Sequence, residues 1–167
     1  MAIDFKVSKT RVNLMRAFAG ESQARNRYTI AADAAKKQGL YSVSQVFLFT
    51  ADQERAHAER YYDLLKNLSG TTIDISGGYP VDHFDNVVEL LKKAEHNELE
   101  EADDVYQAFG NEAKAEGFTE AAATFFQIAE VEAIHARRFG KLAELLEQNK
   151  YFESDLSGKW MCMNCGH

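Results

Sequence analysis

Two stretches seventy-eight residues apart decide the fold. They are Ala51-Asp52-Gln53-Glu54-Arg55-Ala56-His57-Ala58-Glu59-Arg60 and Ala129-Glu130-Val131-Glu132-Ala133-Ile134-His135-Ala136-Arg137-Arg138. Each carries Glu-x-x-His. On an α-helix, residues i and i+3 lie ~60° apart around the axis and about one turn apart along it. One face can therefore offer a carboxylate and an imidazole to a single metal ion. With 16 Glu and five His in 167 residues, about half a copy of this pattern is expected by chance, so one copy alone says little. Two copies in register with a longer repeat say much more.

The repeat extends outward on both sides. At the same offset Tyr28 falls on Tyr106, Gly39 on Gly117, Phe47 on Phe125 and Leu68 on Leu146. Shared amphipathicity explains matching apolar positions, but not matching Tyr, Gly, Glu and His. The second half therefore reads as a copy of the first, with approximate two-fold symmetry. Breakers divide the chain into four helical segments. These are Ser8 to Gln38, Ser42 to Leu68, Phe84 to Glu116, and a fourth from Thr119 to about Asn149. Gly39 and Gly117 stand where left-handed C-caps are expected. Ser42-Val43-Ser44-Gln45 reads as a capping box and Thr119 as an N-cap. Residues 69–83 hold three of the ten Gly and the only Pro, and form the long loop. Two tight hairpins joined by one long connection give an all-α four-helix bundle with a crossover between helices two and three.

The other two helices are then expected to supply carboxylates. Glu21 is the only Glu of the first segment and is flanked by Ala17, Phe18 and Ala24, which puts it on the buried stripe. The third segment offers Glu95-His96-Asn97-Glu98, with Leu91, Ala94, Leu99 and Ala102 nearby. One Glu from each of two helices plus Glu-x-x-His from each of the others is the ligand set of dinuclear carboxylate bundles. Five carboxylates in one core cannot stay ionised unaided, because each unpaired buried charge costs several kcal/mol. Two divalent cations remove that cost. His83 and His96 fall in the loop or off the stripe and read as surface residues. Tyr28 and Tyr106, about two turns from the ligands, could hydrogen-bond ligand carboxylates or simply pack.

Composition excludes several classes. A balance of 19 basic against 26 acidic residues, net −7, argues against a nucleic-acid backbone binder. Hydrophobic content of 46% with 11% aromatics argues against disorder. No apolar run approaches the ~20 residues of a membrane span, and Met1 to Thr10 lacks a signal-peptide core. The only cysteines, Cys162 and Cys165, are three apart. That spacing fits thiols holding metal in a reducing interior, so a cytoplasmic location is expected.

With these residues the chain resembles a rubrerythrin over nearly its whole length. The features that carry the resemblance are Glu21, the Glu54/His57 and Glu132/His135 pairs, the doubled Glu95/Glu98, and the closing Trp160-Met161-Cys162-Met163-Asn164-Cys165-Gly166-His167. The resemblance implies a ferritin-like di-iron bundle over residues 1–149, and a linker with a rubredoxin-like stub over 150–167. It implies a non-haem peroxidase that reduces hydrogen peroxide to water and protects against oxidative stress. By the same analogy Glu54 and Glu132 bridge two irons, and Glu21, Glu95 and His135 are terminal ligands. Glu98 and His57 form the pair that exchanges with redox state, an anionic oxygen suiting Fe(III) and a neutral nitrogen Fe(II).

A rubredoxin centre, Fe–S(Cys)4, needs four thiolates, and Cys162 with Cys165 supply two. The expectation is a truncated chain, with an external electron donor such as rubredoxin and its NAD(P)H-linked reductase. A homodimer is expected, without nucleic-acid or membrane partners. The competing reading is a ferritin-like protein that oxidises and stores iron. A manganese catalase uses similar ligands, whereas a purely structural module would leave five buried carboxylates unexplained.

Overall fold

The computed structural model describes residues 3–153, and Cys162, Cys165 and their neighbours lie outside the described residues. Four long helical rods account for almost all of it. They are α1 (Lys9–Lys37), α2 (Tyr41–Asp63), a composite third rod and α5 (Thr119–Glu147). The third rod begins as α3 (Val87–Glu100), passes through a π-helical turn (Glu101–Val105) and continues as α4 (Tyr106–Glu116). This is the expected ferritin-like four-helix bundle, with the long crossover between the second and third rods.

Helix ends follow local chemistry. The Ser8 hydroxyl caps α1 by accepting from the Arg11 N–H at 3.1 Å. The Glu116 carboxylate accepts from the Lys9 and Thr10 N–H groups at 2.9 and 2.8 Å. These bonds satisfy amides that a helix start leaves without partners. Gly39 (φ 76) and Gly117 (φ 91) are left-handed, as a C-cap glycine should be. In each turn the next residue closes the motif. Leu40 N–H donates to Ala35 O at 3.0 Å, and Phe118 N–H to Ala113 O at 2.8 Å.

These turns are so tight that Leu40 and Phe118 also serve as N-caps of the following helices, without side-chain acceptors. The expected caps therefore fall inside the helices, Ser42 within the first turn of α2 and Thr119 as the first residue of α5. The α2 helix stops at Asp63, and a 3-10 turn (Lys66–Leu68) follows. The third rod starts at Val87 rather than Phe84, because the Asn86 side chain accepts from the Val88 N–H at 2.8 Å.

The crossover runs back along α1. Arg16 Nε donates to Ser76 O at 3.0 Å, and Arg27 pairs with Asp82 at 3.0 Å. Asp82 also accepts from the Asn97 amide at 2.7 Å, which ties the crossover to α3.

The core is layered along the bundle axis. One end packs Tyr28, Phe47, Leu91 and Phe139. The other packs Leu14, Tyr61, Tyr106 and Phe125. Burying each such side chain contributes roughly 1.5–3 kcal/mol. Between the two apolar ends lies a polar belt of Glu21, Glu54, Glu98, Glu132 and His135, each no more than 1% exposed. Every rod thus runs from an apolar layer through a glutamate to a second apolar layer.

Candidate metal centre

The belt is built by register. Helical spacing places Glu21 between Ala17 and Ala24 on α1, and Glu98 one turn beyond Ala94 on α3. Glu54/His57 and Glu132/His135 face them from α2 and α5. The result is two overlapping groups of ligand atoms, each lying within 4.8 Å of one another. Glu21, Glu54, His57 and Glu132 make one, and Glu54, Glu98, Glu132 and His135 the other.

The two groups share Glu54 and Glu132, and the shared carboxylates divide their oxygens. Glu132 Oε1 lies 2.8 Å from His57 Nδ1, and its Oε2 lies 2.7 Å from His135 Nδ1. Glu54 Oε2 lies 3.2 Å from His57 Nδ1, and its Oε1 lies 3.1 Å from His135 Nδ1. The imidazoles stand nearly parallel, 5.7 Å apart with 19° between their planes. Glu21 Oε1 completes the first group at 4.0 Å from His57, and Glu98 Oε2 the second at 3.6 Å from His135.

Two tyrosines hold the outer glutamates crosswise. The Tyr28 hydroxyl on α1 donates to Glu98 Oε1 on α3. The Tyr106 hydroxyl on α4 donates to Glu21 Oε1 on α1 at 2.5 Å. Both tyrosines therefore hydrogen-bond the carboxylates as well as packing in the core.

The electrostatics are those of a site built for cations. Burial pushes Glu21 well above the usual carboxylate range, and Glu132 and Glu54 push it further. Burial likewise raises Glu98, with Glu54 and Glu132 adding to it. Burial also opposes charge on Glu132, but the His135 and His57 imidazoles outweigh it and bring Glu132 to about 2. Desolvation disfavours His57 as a cation, yet Glu132 and Glu54 raise it to about 9. The same contest raises His135 to about 12. Without a cation the cluster balances itself with protons.

Hydrogen bonding leaves it incomplete. Ten buried side-chain polar atoms among the described residues lack a hydrogen-bond partner. Seven of them are here: Glu21 Oε2, Glu54 Oε1, Glu98 Oε2, both Glu132 oxygens and both His135 ring nitrogens, because the short carboxylate–imidazole contacts are misdirected for hydrogen bonding. Buried polar groups are rarely left so, and oxygen and imidazole atoms that converge with so many lone pairs unused fit divalent metal ions.

Not every expected ligand arrives. Glu95 lies one turn further out, its carboxylate packed so closely on Gly140 of α5 that a Cβ there would collide with it. It joins neither group of ligand atoms. A residue not singled out from the sequence feels the charge of the cluster, although it too joins neither group of ligand atoms. Glu101, one turn past Glu98 in the π turn, is half-buried. Burial and then Glu132 and Glu54 raise it to about 8, opposed by Arg27 and His57. Glu98 and Glu101 thus repeat the i, i+3 spacing of Glu95/Glu98 one turn further along, with Glu98 the one of the three that enters a ligand group.

A signal for this shift was in the sequence. Glu21 precedes Tyr28 by seven residues, whereas Glu98 precedes Tyr106 by eight. On the near side of the π turn the repeat offset is seventy-seven, matching Leu14 to Leu91, Ala17 to Ala94 and Glu21 to Glu98; beyond it the offset is seventy-eight. A π turn absorbs one extra residue.

Fold and cluster together define a class of protein, the ferritin-like bundles that can hold two metal ions between four helices. Comparison with known proteins narrows it. The rubrerythrin family model matches residues 13–143. The chain is 43% identical to a rubrerythrin of Clostridium perfringens, over 96% of this chain and 83% of the relative. It is 44% identical to a rubrerythrin of Porphyromonas gingivalis, over 97% and 80%. Among solved structures, nigerythrin in its mixed-valence state superposes with a TM-score of 0.73 at 27% identity, covering 96% of this chain and 78% of that one. Fully reduced, all-ferrous nigerythrin gives 0.72 at 27% identity, covering 98% and 80%.

The chain belongs to the rubrerythrin family. Its relatives support a di-iron oxidative-stress protein of oxidoreductase type. Among the described residues, no helix is long and apolar enough to cross a membrane.

Proposed function

We propose that the protein is a di-iron peroxidase that reduces hydrogen peroxide to water. The observation that carries this reading is the pair of ligand groups sharing Glu54 and Glu132. Two metal ions held by common carboxylates sit close enough to act on one small molecule. When bound, two ferrous ions supply the two electrons that, with two protons from water, reduce hydrogen peroxide to two waters.

The chain's own residues do the holding. Glu54 and Glu132, common to both groups, would hold both ions, while Glu21 on one side and Glu98 with His135 on the other would each hold one. Tyr28 and Tyr106 fix the orientation of the outer carboxylates, which keeps their remaining oxygens aimed inward. Glu98 takes the terminal place first given to Glu95, and Glu101 the exchanging place first given to Glu98. Glu101 would alternate with His57 at the Glu21 side, the imidazole suiting a reduced metal and the carboxylate an oxidised one. The apolar layers above and below exclude bulk water and strengthen each charge interaction in the belt.

Re-reduction takes two electrons per cycle, for which a rubredoxin with its NAD(P)H-linked reductase is the natural donor. A homodimer completes the proposed assembly.

The test is metal analysis followed by anaerobic titration of the reduced protein. Two irons per chain and one peroxide consumed per pair support the proposal, together with oxidation by peroxide much faster than by O₂. Preference for O₂ with continuing iron uptake points instead to iron oxidation and storage.

A further inference from the structure

We infer that the cavity between α1 and the π turn, roofed by Gly77–Pro80 of the crossover, is the door through which small solutes reach the carboxylate cluster, and that Tyr79 sets its width. The inference rests on the reading of the cluster as a metal centre that takes a hydroperoxide.

The cavity encloses about 180 Å³, room for several water molecules at ~30 Å³ each. Its inner wall includes Glu101 and Tyr106. The first stands one helical turn past Glu98, and the second is hydrogen-bonded to Glu21. Gly20 and Asn97, each next in sequence to a cluster glutamate, line it as well. Its inner wall therefore abuts the belt through Glu101 and Tyr106, with no member of the two ligand groups in the lining itself.

Small side chains keep it open. Gly20 presents no Cβ toward it, and a Cβ built there would find Tyr79 Cε1 as its nearest neighbour, at 3.9 Å. Tyr79 folds back over Gly77, whose added Cβ would lie 3.3 Å from the phenol oxygen. The Tyr79 side chain is tethered by one long contact, its hydroxyl to Arg16 O at 3.4 Å, and the residue is 42% exposed.

The strap that carries the ring is held independently. Arg16 binds Ser76, and Asp82 joins Arg27 to Asn97. The cationic heads at the rim are thus already partnered. Asp82 neutralises Arg27, and the charge that Arg16 keeps among its neutral acceptors is offset in the lining by Glu100 and Glu101, so the cavity carries no net positive charge to retain an anion, which suits passage of a neutral hydroperoxide. Truncating Tyr79 should widen the mouth without releasing the strap. Lengthening Gly20 should plug it from the α1 side, where the Cβ itself meets only an ordinary contact and a helix former replaces glycine.

A door alters entry and exit by the same factor and leaves the equilibrium unchanged, since Kd is the ratio of the two rates. The experiment follows cobalt(II) uptake by the full chain, and its release to a chelator, through the cobalt absorption band. Tyr79→Ala should raise both rates about threefold and Gly20→Leu should lower both about tenfold, magnitudes typical of gating, with Kd and stoichiometry unmoved. With the iron form, the oxidation rate by tert-butyl hydroperoxide relative to hydrogen peroxide should rise in Tyr79→Ala and fall in Gly20→Leu. Unchanged cobalt rates in both variants overturn the inference, and so does a change in Kd without a matched change in rates. If the cobalt rates shift as expected but reduced wild-type protein reacts with neither peroxide, the door stands and the peroxidase reading fails.

Discussion

The two hairpins are copies that differ at one place. In the first, α1 runs unbroken through Glu21 and Tyr28. In the second, the matching stretch from Glu98 to Tyr106 is one residue longer, and the π turn at Glu101–Val105 absorbs the excess. Both hairpins still deliver a glutamate to the belt and a tyrosine to the opposite glutamate. The extra residue leaves that symmetric frame intact and adds one carboxylate to one side. At the offset that matches Glu21 to Glu98, the counterpart of Glu101 is Ala24. The comparison teaches that the symmetric frame supplies both groups of ligand atoms, and that under the proposed function the asymmetry would offer one metal a further carboxylate.

The largest expected effect comes from breaking the shared frame. Glu54→Ala or Glu132→Ala removes a carboxylate common to both groups. Metal content should fall from two ions to below one per chain by elemental analysis. Peroxide turnover should fall more than about 100-fold, the upper end of what loss of even an outer partner costs.

Making the second hairpin resemble the first, by Glu101→Ala, should leave helicity and both metals in place and lower turnover about 10- to 100-fold. Glu95→Ala should leave turnover unchanged. If Glu95→Ala is the damaging variant of the two, the assignment of the additional carboxylate is wrong. Smaller still is the effect of Tyr28→Phe or Tyr106→Phe. Each leaves a buried carboxylate oxygen short of a donor, at a cost of about 1–3 kcal/mol, which should appear as weaker metal binding in a competition with a chelator. Equal losses in the two variants would confirm that the crosswise bonds are equivalent.

A pH series sharpens the same picture. In the metal-free protein Glu21 and Glu98 are raised, Glu101 is raised to about 8 and His57 to about 9. All four favour the folded state when protonated. Their contributions are complete below the unfolded values of 4.5 for the carboxyls and 6.5 for His57, and fade as pH rises through the folded values. Glu132, lowered to about 2, acts oppositely, and its contribution is lost as pH falls through that range. The midpoint of thermal unfolding of metal-free protein should therefore decline between about pH 5 and pH 9. Metal-loaded protein should hold its stability there, because cations replace the protons. A loaded protein that declines in parallel would contradict this.

Much of this was legible in the sequence. Repeated Glu-x-x-His, flanking small residues and left-handed glycines at 39 and 117 follow from helical period and charge burial alone, and they fix the rods and most of the belt. The sequence misled where a local rule lost to its surroundings. Ser42 looks like a cap, but the closed turn at Gly39 already uses Leu40 in that place. Phe84 looks like a helix start, but Asn86 offers the acceptor that begins it. The π turn has no compositional mark, so Glu95, with Leu91, Ala94 and Leu99 around it, read as a ligand beside Glu98. Only the unequal Glu–Tyr spacing of the two halves betrays it. The path of the crossover, and hence the cavity beneath it, depends on long-range pairs such as Arg27 with Asp82 that no local pattern encodes.

The central claim is that two cations, bridged by Glu54 and Glu132, neutralise the anionic belt. Its most direct test is titration of the metal-free full chain with ferrous or cobaltous ion at neutral pH, followed by magnetic measurement of the loaded protein. The account expects two ions per chain that are magnetically coupled through common ligands. A single ion, or two ions that behave independently, would contradict it.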